Sequence, residues 1–305
     1  MSDFHSWDQK AHAETYIVFP ENIGENMSLD ETALSNGELV TNLTNKDGHG
    51  KKGTVAAIIK GTSSEVVNAC LEKIPQKVRE KVRNITLDMA GSMYRIARHC
   101  FPKATQIIDR FHVQKEMYDA LQDLRVQYRW QAQEEDNLLK KQAKEKGEEY
   151  ESPTFENRDT RKQLLLRSRY LLFKSPNHWS VSQKERAEIL FREYDDIKQL
   201  YYLSLQLGQI YSTSYQKDIA RVKLALWFNK VEEWKFPQFN TVIHTFERHY
   251  ERILNFFKDR LTNAAAESFN AKLKAFRAKL KAFRATFRGV DDMSFFLFRV
   301  MKLYA

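Results

Sequence analysis

Short runs of aliphatic and β-branched residues, separated by turn residues, fill the chain from about residue 15 to residue 113. Runs of this kind bounded by Gly, Asn and Asp are typical of β-strands. The connections between the first three runs are too short for crossovers, so those strands should form an antiparallel meander. The five predicted strands are Met27–Leu34, Glu38–Leu43, Thr54–Lys60, Asn84–Leu87 and Thr105–Ile108.

Helical periodicity appears between these strands and takes over after Val113. Within the strand region it predicts helices at Ser63–Val82 and Met93–Arg98, which gives an α/β order with a mixed sheet. After Val113 the strand pattern is lost. The predicted helices are Met117–Trp130, Leu164–Leu172, Ala187–Leu207, Ile219–Trp234 and Phe239–Phe257.

Two local patterns refine the helical region. Ser182 and Glu185 have capping-box spacing, which predicts a helix start ahead of Ala187. The charged span Lys140–Arg161 is interpreted as a solvated helix end and loop. The predicted organisation is an N-terminal extension (1–26), a sheet core (27–113), an all-helical block (114–260) and a basic C-terminal helix (261–305).

Composition narrows the class of protein. With 42% hydrophobic and 29% charged residues, the 305-residue chain has the composition of a globular protein. It contains no apolar run of signal-peptide or membrane-spanning length. Cys70 and Cys100 lack disulfide-framework or zinc-ligand spacing. We therefore expect a cytoplasmic location.

The net charge of +9 is concentrated near the C-terminus. Residues 1–113 contain 14 Lys and Arg against 14 Asp and Glu, whereas residues 261–305 contain nine against three. A concentration of positive charge on a short segment is typical of proteins with a polyanionic partner such as nucleic acid, although basic proteins without such a partner are equally common.

The C-terminal helix separates polar from apolar residues. On a helical wheel, Asn263, Asn270, Lys274 and Lys281 lie within about 60° of Glu267. The opposite side carries an apolar stripe that must pack on the protein: Phe269, Leu273, Phe276, Leu280, Phe283 and Phe287. Taken alone, Glu267 has the alternative interpretation of a solvated helical glutamate.

Two further carboxylates follow short β-like runs, at points where each run is expected to leave the sheet. Asp30 follows the run Met27–Leu29, and Asp88 ends the run Ile85–Leu87. Carboxylates that converge raise one another's pKa unless a divalent cation holds them. Mg²⁺ suits oxygen ligands, and a pair of such ions can serve phosphoryl displacement. The spacing alone is a weak signal, because 40 acidic residues offer many such triples.

Several motifs together carry a family resemblance. The motifs are SLDETALSNGEL (Ser28–Leu39), the Gly50–Gly53 turn, LDMAGSM (Leu87–Met93), IDRFHVQK (Ile108–Lys115) and TNAAAESFNAKLKAFR (Thr262–Arg277). In this order they resemble the catalytic core of bacterial insertion-sequence transposases of the ISL-three group. The resemblance implies an RNase H-like, integrase-like fold: a mixed five-stranded sheet with a large all-α insertion before the C-terminal helix that bears the Glu.

The resemblance also implies an activity and a catalytic triad. The triad falls on Asp30, Asp88 and Glu267, which would bind two Mg²⁺ ions, with Mn²⁺ as a substitute; Asp30 would bridge the two ions. The implied reactions are hydrolysis of a phosphodiester at the element end and attack of the freed 3′-hydroxyl on target DNA. Two alternatives remain open: a catalytically degenerate DNA-binding remnant and a stand-alone RNase H-like nuclease.

Other residues receive supporting roles. Asp109 and His112 are candidates to support the metal site, with a strand-end cap and a structural histidine as the equally weighted alternative. Asn263 and Asn270 are candidates to orient the triad. The tryptophans Trp130, Trp179, Trp227 and Trp234 are interpreted as helix-packing residues, with base stacking as the alternative. The predicted DNA-binding residues are Lys274, Lys281, Arg277, Arg284 and Arg288.

The resemblance also implies binding partners, and the chain departs from the family pattern in two respects. The expected partners are the element's terminal repeats, target DNA and a second copy in a homodimer on DNA. Relatives carry an N-terminal DNA-binding region, so we expect either a separately encoded DNA-binding protein or a truncated copy. The heptad AKLKAFR occurs twice in succession (271–277 and 278–284), which extends the helix while nearly preserving its faces.

Overall fold

The computed structural model describes residues 2–34, 37–261, 268–275, 278 and 293–305. The chain forms two compact units. Unit 1 comprises Met1–His112 and His249–Ala305, and unit 2 comprises Val113–Arg248.

Unit 1 is built on a six-stranded mixed sheet with the order β1-β4-β3-β2-β5-β6. Strands β2, β3 and β4 form the predicted antiparallel meander, and β5 and β6 add to its β2 side as parallel strands. The strands are β1 (Tyr16–Val18), β2 (Asn26–Ala33), β3 (Leu39–Asn45), β4 (Val55–Lys60), β5 (Asn84–Leu87) and β6 (Thr105–Ile108).

The sequence predicted five strands, but the sheet has six, and the strand that was missed is β1. The three-residue strand β1 pairs antiparallel with β4, from Tyr16 opposite Ile59 to Val18 opposite Ala57. A run of three residues is too short for its alternation to be distinguished from loop sequence. The sequence pattern therefore could not reveal β1, because its pairing with β4 depends on contacts with residues that are distant in the chain.

The helices of unit 1 follow the predicted order with one break. The predicted helix Ser63–Val82 is two helices, α2 (Ser64–Leu71) and α3 (Gln76–Arg79), because Pro75 occupies the N-cap of the second. Proline fixes its own φ and cannot donate the backbone hydrogen bond of a helix interior. The other helices are α1 (Ser2–His5), α4 (Gly91–Cys100), α11 (helical over 268–275) and α12 (Met293–Tyr304).

Apolar clusters cover both faces of this sheet. The last apolar residues of β4 alternate between them: Ala57 and Ile59 belong to a cluster with α2 and α4, whereas Ile58 belongs to a second cluster with α11 and α12. Phe269 and Leu273 of α11 are fully buried in the second cluster, as the apolar stripe predicted. The rest of that stripe lies outside the described residues.

Unit 2 is helical over the regular elements that the structure describes. Two of its helices also include residues of unit 1: α5 (Arg110–Lys146) starts in unit 1, and α10 (Asn240–Asp259) ends there. The others are α6 (Arg161–Arg167), α7 (Val181–Glu193), α8 (Asp195–Thr213) and α9 (Lys217–Trp234). Short 3-10 turns occur at Lys10–His12, Pro20–Asn22, Lys46–Gly48, Leu171–Phe173, Pro176–His178 and Pro237–Phe239.

Two helix predictions in unit 2 are wrong in detail. The predicted helix Ala187–Leu207 is interrupted at Tyr194, which lies between α7 and α8. The capping box at the start of α7 is formed by Ser180 and Gln183 instead of Ser182 and Glu185. The Ser180 side chain accepts from the Gln183 amide, and the Gln183 side chain accepts from the Ser180 amide.

The tryptophans of unit 2 do not share one environment. Trp227 is buried, and its indole donates to the Leu203 carbonyl oxygen at 2.9 Å. Trp179 stacks on Tyr201 with ring centroids 5.6 Å apart. Trp130, in contrast, is 57% exposed. The packing interpretation therefore describes Trp179 and Trp227 but not Trp130.

No helix within the described ranges is long and apolar enough to cross a membrane. Cys70 and Cys100 are free thiols buried in the α2 and α4 cluster of unit 1. Burial raises the pKa of the Cys100 thiol to about 11, so this thiol is protonated at neutral pH and packs as a small apolar group.

Candidate active site

Strand register places Asp30 and Asp88 next to each other. The parallel pairing of β2 with β5 ends at Leu29 opposite Leu87, so the next residue on each strand is an aspartate. Adjacent strands lie about 4.8 Å apart. One detail of the prediction is corrected: Asp30 is not at the end of its strand, because β2 continues to Ala33 along β3. Asp30 instead marks the point at which β2 loses its neighbour β5.

The Asp30 carboxylate is held by hydrogen bonds on both oxygens. Its Oδ1 accepts from the backbone amide of Glu31 at 2.8 Å, and its Oδ2 accepts from the side-chain amide of Asn270 at 2.6 Å. Asn270 belongs to α11, three residues after Glu267. This bond therefore fixes α11 against β2, the strand that carries Asp30.

A second amide completes this buried network. Asn42 is the cross-strand partner of Asp30 on β3, and its Nδ2 donates to Asn270 Oδ1 at 2.9 Å and to Thr32 Oγ1 at 3.0 Å. Asn42 and Thr32 are each 1% exposed. Because Asn42 donates to the Asn270 carbonyl oxygen, the Asn270 NH₂ group is left to face Asp30. Sequence reasoning missed Asn42, although a buried-strand position occupied by asparagine is a usable signal of such a network.

Burial and neighbouring charges at this edge disfavour the ionised form of Asp30. Burial raises the pKa of Asp30, the positive charge of His112 opposes that rise, and the charge of Asp88 adds to it. His112 therefore lies close enough to Asp30 to act on its charge. The Asp88 carboxylate accepts from the Ala90 backbone amide at 2.8 Å, at the start of α4.

Glu31 also takes part in the electrostatics of this edge. Extended-strand geometry predicts that Glu31 points away from Asp30, which excludes it from the predicted site. Burial and the charges of Asp88 and Asp30 nevertheless raise the pKa of Glu31, and the Ser92 hydroxyl donates to its carboxylate at 3.4 Å. Glu31 thus adds a third negative charge beside Asp88.

Asp109 lies beside a buried lysine. Asp109 is 1% exposed, its backbone amide donates to the Leu87 carbonyl oxygen at 3.1 Å, and its charge acts on Lys46. The Lys46 ammonium donates to the Thr86 hydroxyl. Burial lowers the pKa of Lys46 to about 8, although the charge of Asp109 opposes this. Lys46 stands in the polar turn sequence NKDGHG, which predicts an exposed side chain, so sequence reasoning missed it.

The glycine turn after β3 contacts α11. Lys272 donates from its ammonium to the Gly50 carbonyl oxygen at 3.2 Å. Gly50 has a positive φ of 71°, and a Cβ there would lie 3.2 Å from the Lys272 ammonium. Glycine is therefore favoured at this position both by backbone conformation and by the close approach of Lys272.

Several predicted site residues lie outside the described residues: Glu267, Asn263, Arg277, Lys281, Arg284 and Arg288. The second copy of the duplicated heptad falls there too, apart from Ala278. Of the predicted DNA-binding residues, Lys274 is described, and its side chain is exposed on α11.

The described residues supply part of the oxygen-ligand set that a divalent cation needs. Within the described ranges, no three His, Cys, Asp or Glu side chains are grouped closely enough to hold a metal ion. Asp30 and Asp88 supply two hard oxygen donors whose mutual repulsion a cation would relieve. A third carboxylate, such as that predicted at Glu267, is needed to complete the set.

Comparison with known proteins identifies the family. A family profile described as a transposase, of the ISL-three group of DDE transposases, matches residues 27–300. Searches of curated proteins and of solved structures found no match. The matched segment covers most of the chain and includes Asp30, Asp88 and α11. The chain therefore belongs to the ISL-three group of DDE transposases.

Proposed function

We propose that this chain is the catalytic core of a metal-dependent DNA transposase, which cuts and joins DNA at the ends of its own insertion sequence. The observation that carries the proposal is the register that sets Asp30 beside Asp88, together with the Asn270 bond that ties α11 to Asp30. In this proposal Asp30, Asp88 and Glu267 form the catalytic triad, and the partners are the terminal repeats and target DNA.

The proposed architecture is RNase H-like. The antiparallel meander followed by two parallel strands supports it. Unit 2, whose chain lies between His112 and His249, is in this proposal the helical insertion that separates the sheet from the helix bearing the Glu.

The proposed chemistry consists of two phosphoryl displacements. In the first, a water oxygen bonds to phosphorus, the bond from phosphorus to the element's 3′-oxygen breaks, and a 3′-hydroxyl is freed. In the second, that hydroxyl bonds to a target phosphorus and displaces a target 3′-oxygen. Bound Mg²⁺ ions, for which Mn²⁺ can substitute, would supply charge neutralisation at the reacting phosphate.

The chain's own contribution is placement. Asp30, Asp88 and Glu267 would hold the metal ions, and Asn270 orients the Asp30 carboxylate. His112 lies close enough to Asp30 to oppose the rise in the pKa of that carboxyl. Reactions of this class need little from the protein beyond position and electrostatic stabilisation.

The test uses DNA that carries the element's ends, with Mg²⁺, Mn²⁺ or EDTA. We expect Asp30→Asn, Asp88→Asn and Glu267→Gln each to abolish cleavage and joining and to preserve DNA affinity, because removing negative charge does not weaken attraction to phosphate. Asp47→Asn, at an exposed position of the turn after β3, is the matched control and should retain activity.

Three outcomes would count against parts of the proposal. Cleavage retained in all three triad variants would refute the triad. Cleavage without joined products would indicate a nuclease. Binding without cleavage in the unmodified chain, under every metal condition, would indicate a degenerate DNA-binding remnant.

A further inference from the structure

One side of α5 in unit 2 contacts α6 and the segment that follows it. Tyr118 packs edge-on against Phe173 with ring centroids 5.2 Å apart. One turn later, Gln122 donates to the Arg169 carbonyl oxygen at 3.4 Å. Arg125 then donates from its guanidinium to the Leu165 carbonyl oxygen at 2.8 Å. These residues are spaced along one helical face, so the backbone that carries Arg169 has a defined position on α5.

Three arginines come together at this contact. Burial and the charges of Arg129 and Arg169 lower the pKa of Arg125 to about 10. Among the described residues, neither Arg129 nor Arg169 forms an ion pair with a carboxylate, whereas Arg167, Arg186 and Arg192 of the same unit do. Like charges held together in this way attract an anionic ligand.

Exposed aromatic rings accompany Arg169, which is exposed, and Arg129, which is half-buried. The Arg129 guanidinium lies 5.2 Å from the ring centroid of Trp130, and the Arg169 guanidinium lies 5.5 Å from that of Tyr170. Trp130 is 57% exposed and Tyr170 is 65% exposed. Large aromatic rings are usually more deeply buried, so their exposure beside cations is typical of a binding surface. We call Arg129, Trp130, Arg169 and Tyr170 the arginine–aromatic patch.

We propose that the arginine–aromatic patch, carried by the helical unit, binds DNA in addition to the lysines of α11. Arg129 and Arg169 bind backbone phosphates, and the rings of Trp130 and Tyr170 stack on unpaired bases. Guanidinium groups match phosphate geometry, and aromatic rings stack on any base. The ligand is therefore DNA with a single-stranded segment. This identification rests on the proposed function, in which DNA is the substrate.

The phosphate contacts are tested on the full-length chain by fluorescence anisotropy in EDTA. The probes are a duplex and the same duplex with a single-stranded flank, each titrated at several salt concentrations. The double variant Arg129→Gln/Arg169→Gln should reduce the slope of log affinity against log salt by about two. Lys223→Gln/Lys230→Gln is the matched control, because it removes the same charge from exposed positions on α9. It should leave the slope unchanged.

The stacking contacts are tested with Trp130→Ala and Tyr170→Ala. Each should weaken binding of the flanked probe by about 5-fold or more and leave binding of the plain duplex nearly unchanged. Circular dichroism spectra should show that all variants are folded.

Equal slopes for the arginine variant and the unmodified chain would overturn the proposal. Equal reductions of the slope in the arginine variant and the lysine control would also overturn the proposal, because they would show that the net charge of the protein alone determines the salt dependence of DNA binding. Equal effects of the ring substitutions on both probes would refute stacking. These measurements require no cleavage, so an inactive chain with an intact patch effect would contradict the proposed function and support this inference.

Discussion

Asn270 makes the bond that connects α11 to the first carboxylate, and its removal should be measurable in stability as well as activity. The acceptor is a carboxylate, and hydrogen bonds to charged groups contribute about 1.5–3 kcal/mol, whereas bonds between neutral groups contribute about 1 kcal/mol. Asn84 offers a matched neutral bond, because its side-chain amide donates to Asn26 Oδ1 at 3.0 Å between β5 and β2. The two bonds differ in the charge of the acceptor and also in burial, because Asn270 is buried and additionally accepts from Asn42, whereas Asn84 is half-buried.

We predict that Asn270→Ala lowers the free energy of unfolding by about 1.5–3 kcal/mol and Asn84→Ala by about 1 kcal/mol. Urea denaturation of both variants gives the comparison. Cleavage by the Asn270 variant should also fall, since Asp30 loses the donor that orients it. A decrease in stability no larger than that of Asn84→Ala would show that the contact with Asp30 is not specifically stabilising.

Lys46 should make stability depend on pH in the alkaline range. Burial lowers the pKa of Lys46 to about 8 in the folded chain, whereas an unfolded lysine has a pKa of about 10.4. Between these values the unfolded chain binds more protons, so this residue makes the folded state more stable as pH rises. Below about pH 8 the lysine is charged in both states, and this dependence disappears.

We predict that the stability difference between the unmodified chain and Lys46→Met moves in favour of the unmodified chain from pH 7 to pH 10, by up to about 3 kcal/mol. Urea unfolding at intervals of one pH unit measures the difference. Lys77→Met, at an exposed position on α3, is the control, and its difference in stability from the unmodified chain should not change with pH. A flat curve for Lys46→Met as well would mean that Lys46 titrates normally in the folded chain.

At the scale of elements, unit 2 joins α6 to α7 through a buried ion-pair cluster. The Asp159 side chain is fully buried and accepts from Arg186 of α7 at 2.8 Å and from Arg167 of α6. Asn157 donates to the same carboxylate at 3.0 Å. Burial alone would raise the pKa of Asp159, but the two arginines outweigh it and lower the pKa below the ordinary range.

We predict that Asp159→Asn lowers the free energy of unfolding by about 3 kcal/mol, because it leaves a largely buried arginine without its counter-charge. Asp119→Asn breaks an exposed pair with Lys115 and should cost less than about 1 kcal/mol. A depressed pKa contributes stability above the ordinary aspartate pKa and loses it as pH falls through the folded value. The difference between unmodified chain and Asp159→Asn should therefore shrink below about pH 4. Equal decreases in stability for the two variants at pH 7 would contradict the prediction.

The elements that sequence periodicity predicted best are those whose ends are set locally. Asn84–Leu87 and Thr105–Ile108 have the same bounds in prediction and structure, because each is a short apolar run closed by polar residues. The break at Tyr194 was missed because the apolar spacing continues across it from α7 into α8. At the site, the apolar runs predicted the strand positions of Asp30 and Asp88, and the family resemblance singled out these two residues among the acids of the chain. Asn42 and Lys46 were missed, since their burial depends on cross-strand neighbours that sequence spacing does not reveal.

At the scale of the whole molecule, positive charge is distributed unevenly, and the DNA-binding prediction depends on where it lies. Lys274 is exposed on α11, the helix that also carries Asn270, and Lys281 follows seven residues later in the sequence. Lysines at such positions contact the DNA backbone without reading its sequence. A general excess of charge would attract DNA through any exposed lysine, so position and net charge can be separated by experiment.

We predict that Lys274→Gln/Lys281→Gln weakens binding to all DNA sequences alike and reduces the slope of log affinity against log salt by up to about two, one unit for each phosphate that is no longer bound. The control is Lys77→Gln/Lys81→Gln, which removes the same charge from exposed positions at and just after α3 in unit 1. It should leave the slope unchanged, because the net charge of the two variants is equal and only the location differs. Fluorescence anisotropy at four or more salt concentrations, on DNA with and without the element's ends, provides both comparisons. An unchanged slope in the α11 variant would show that these lysines face solvent, and weakening confined to one DNA sequence would show that they read bases.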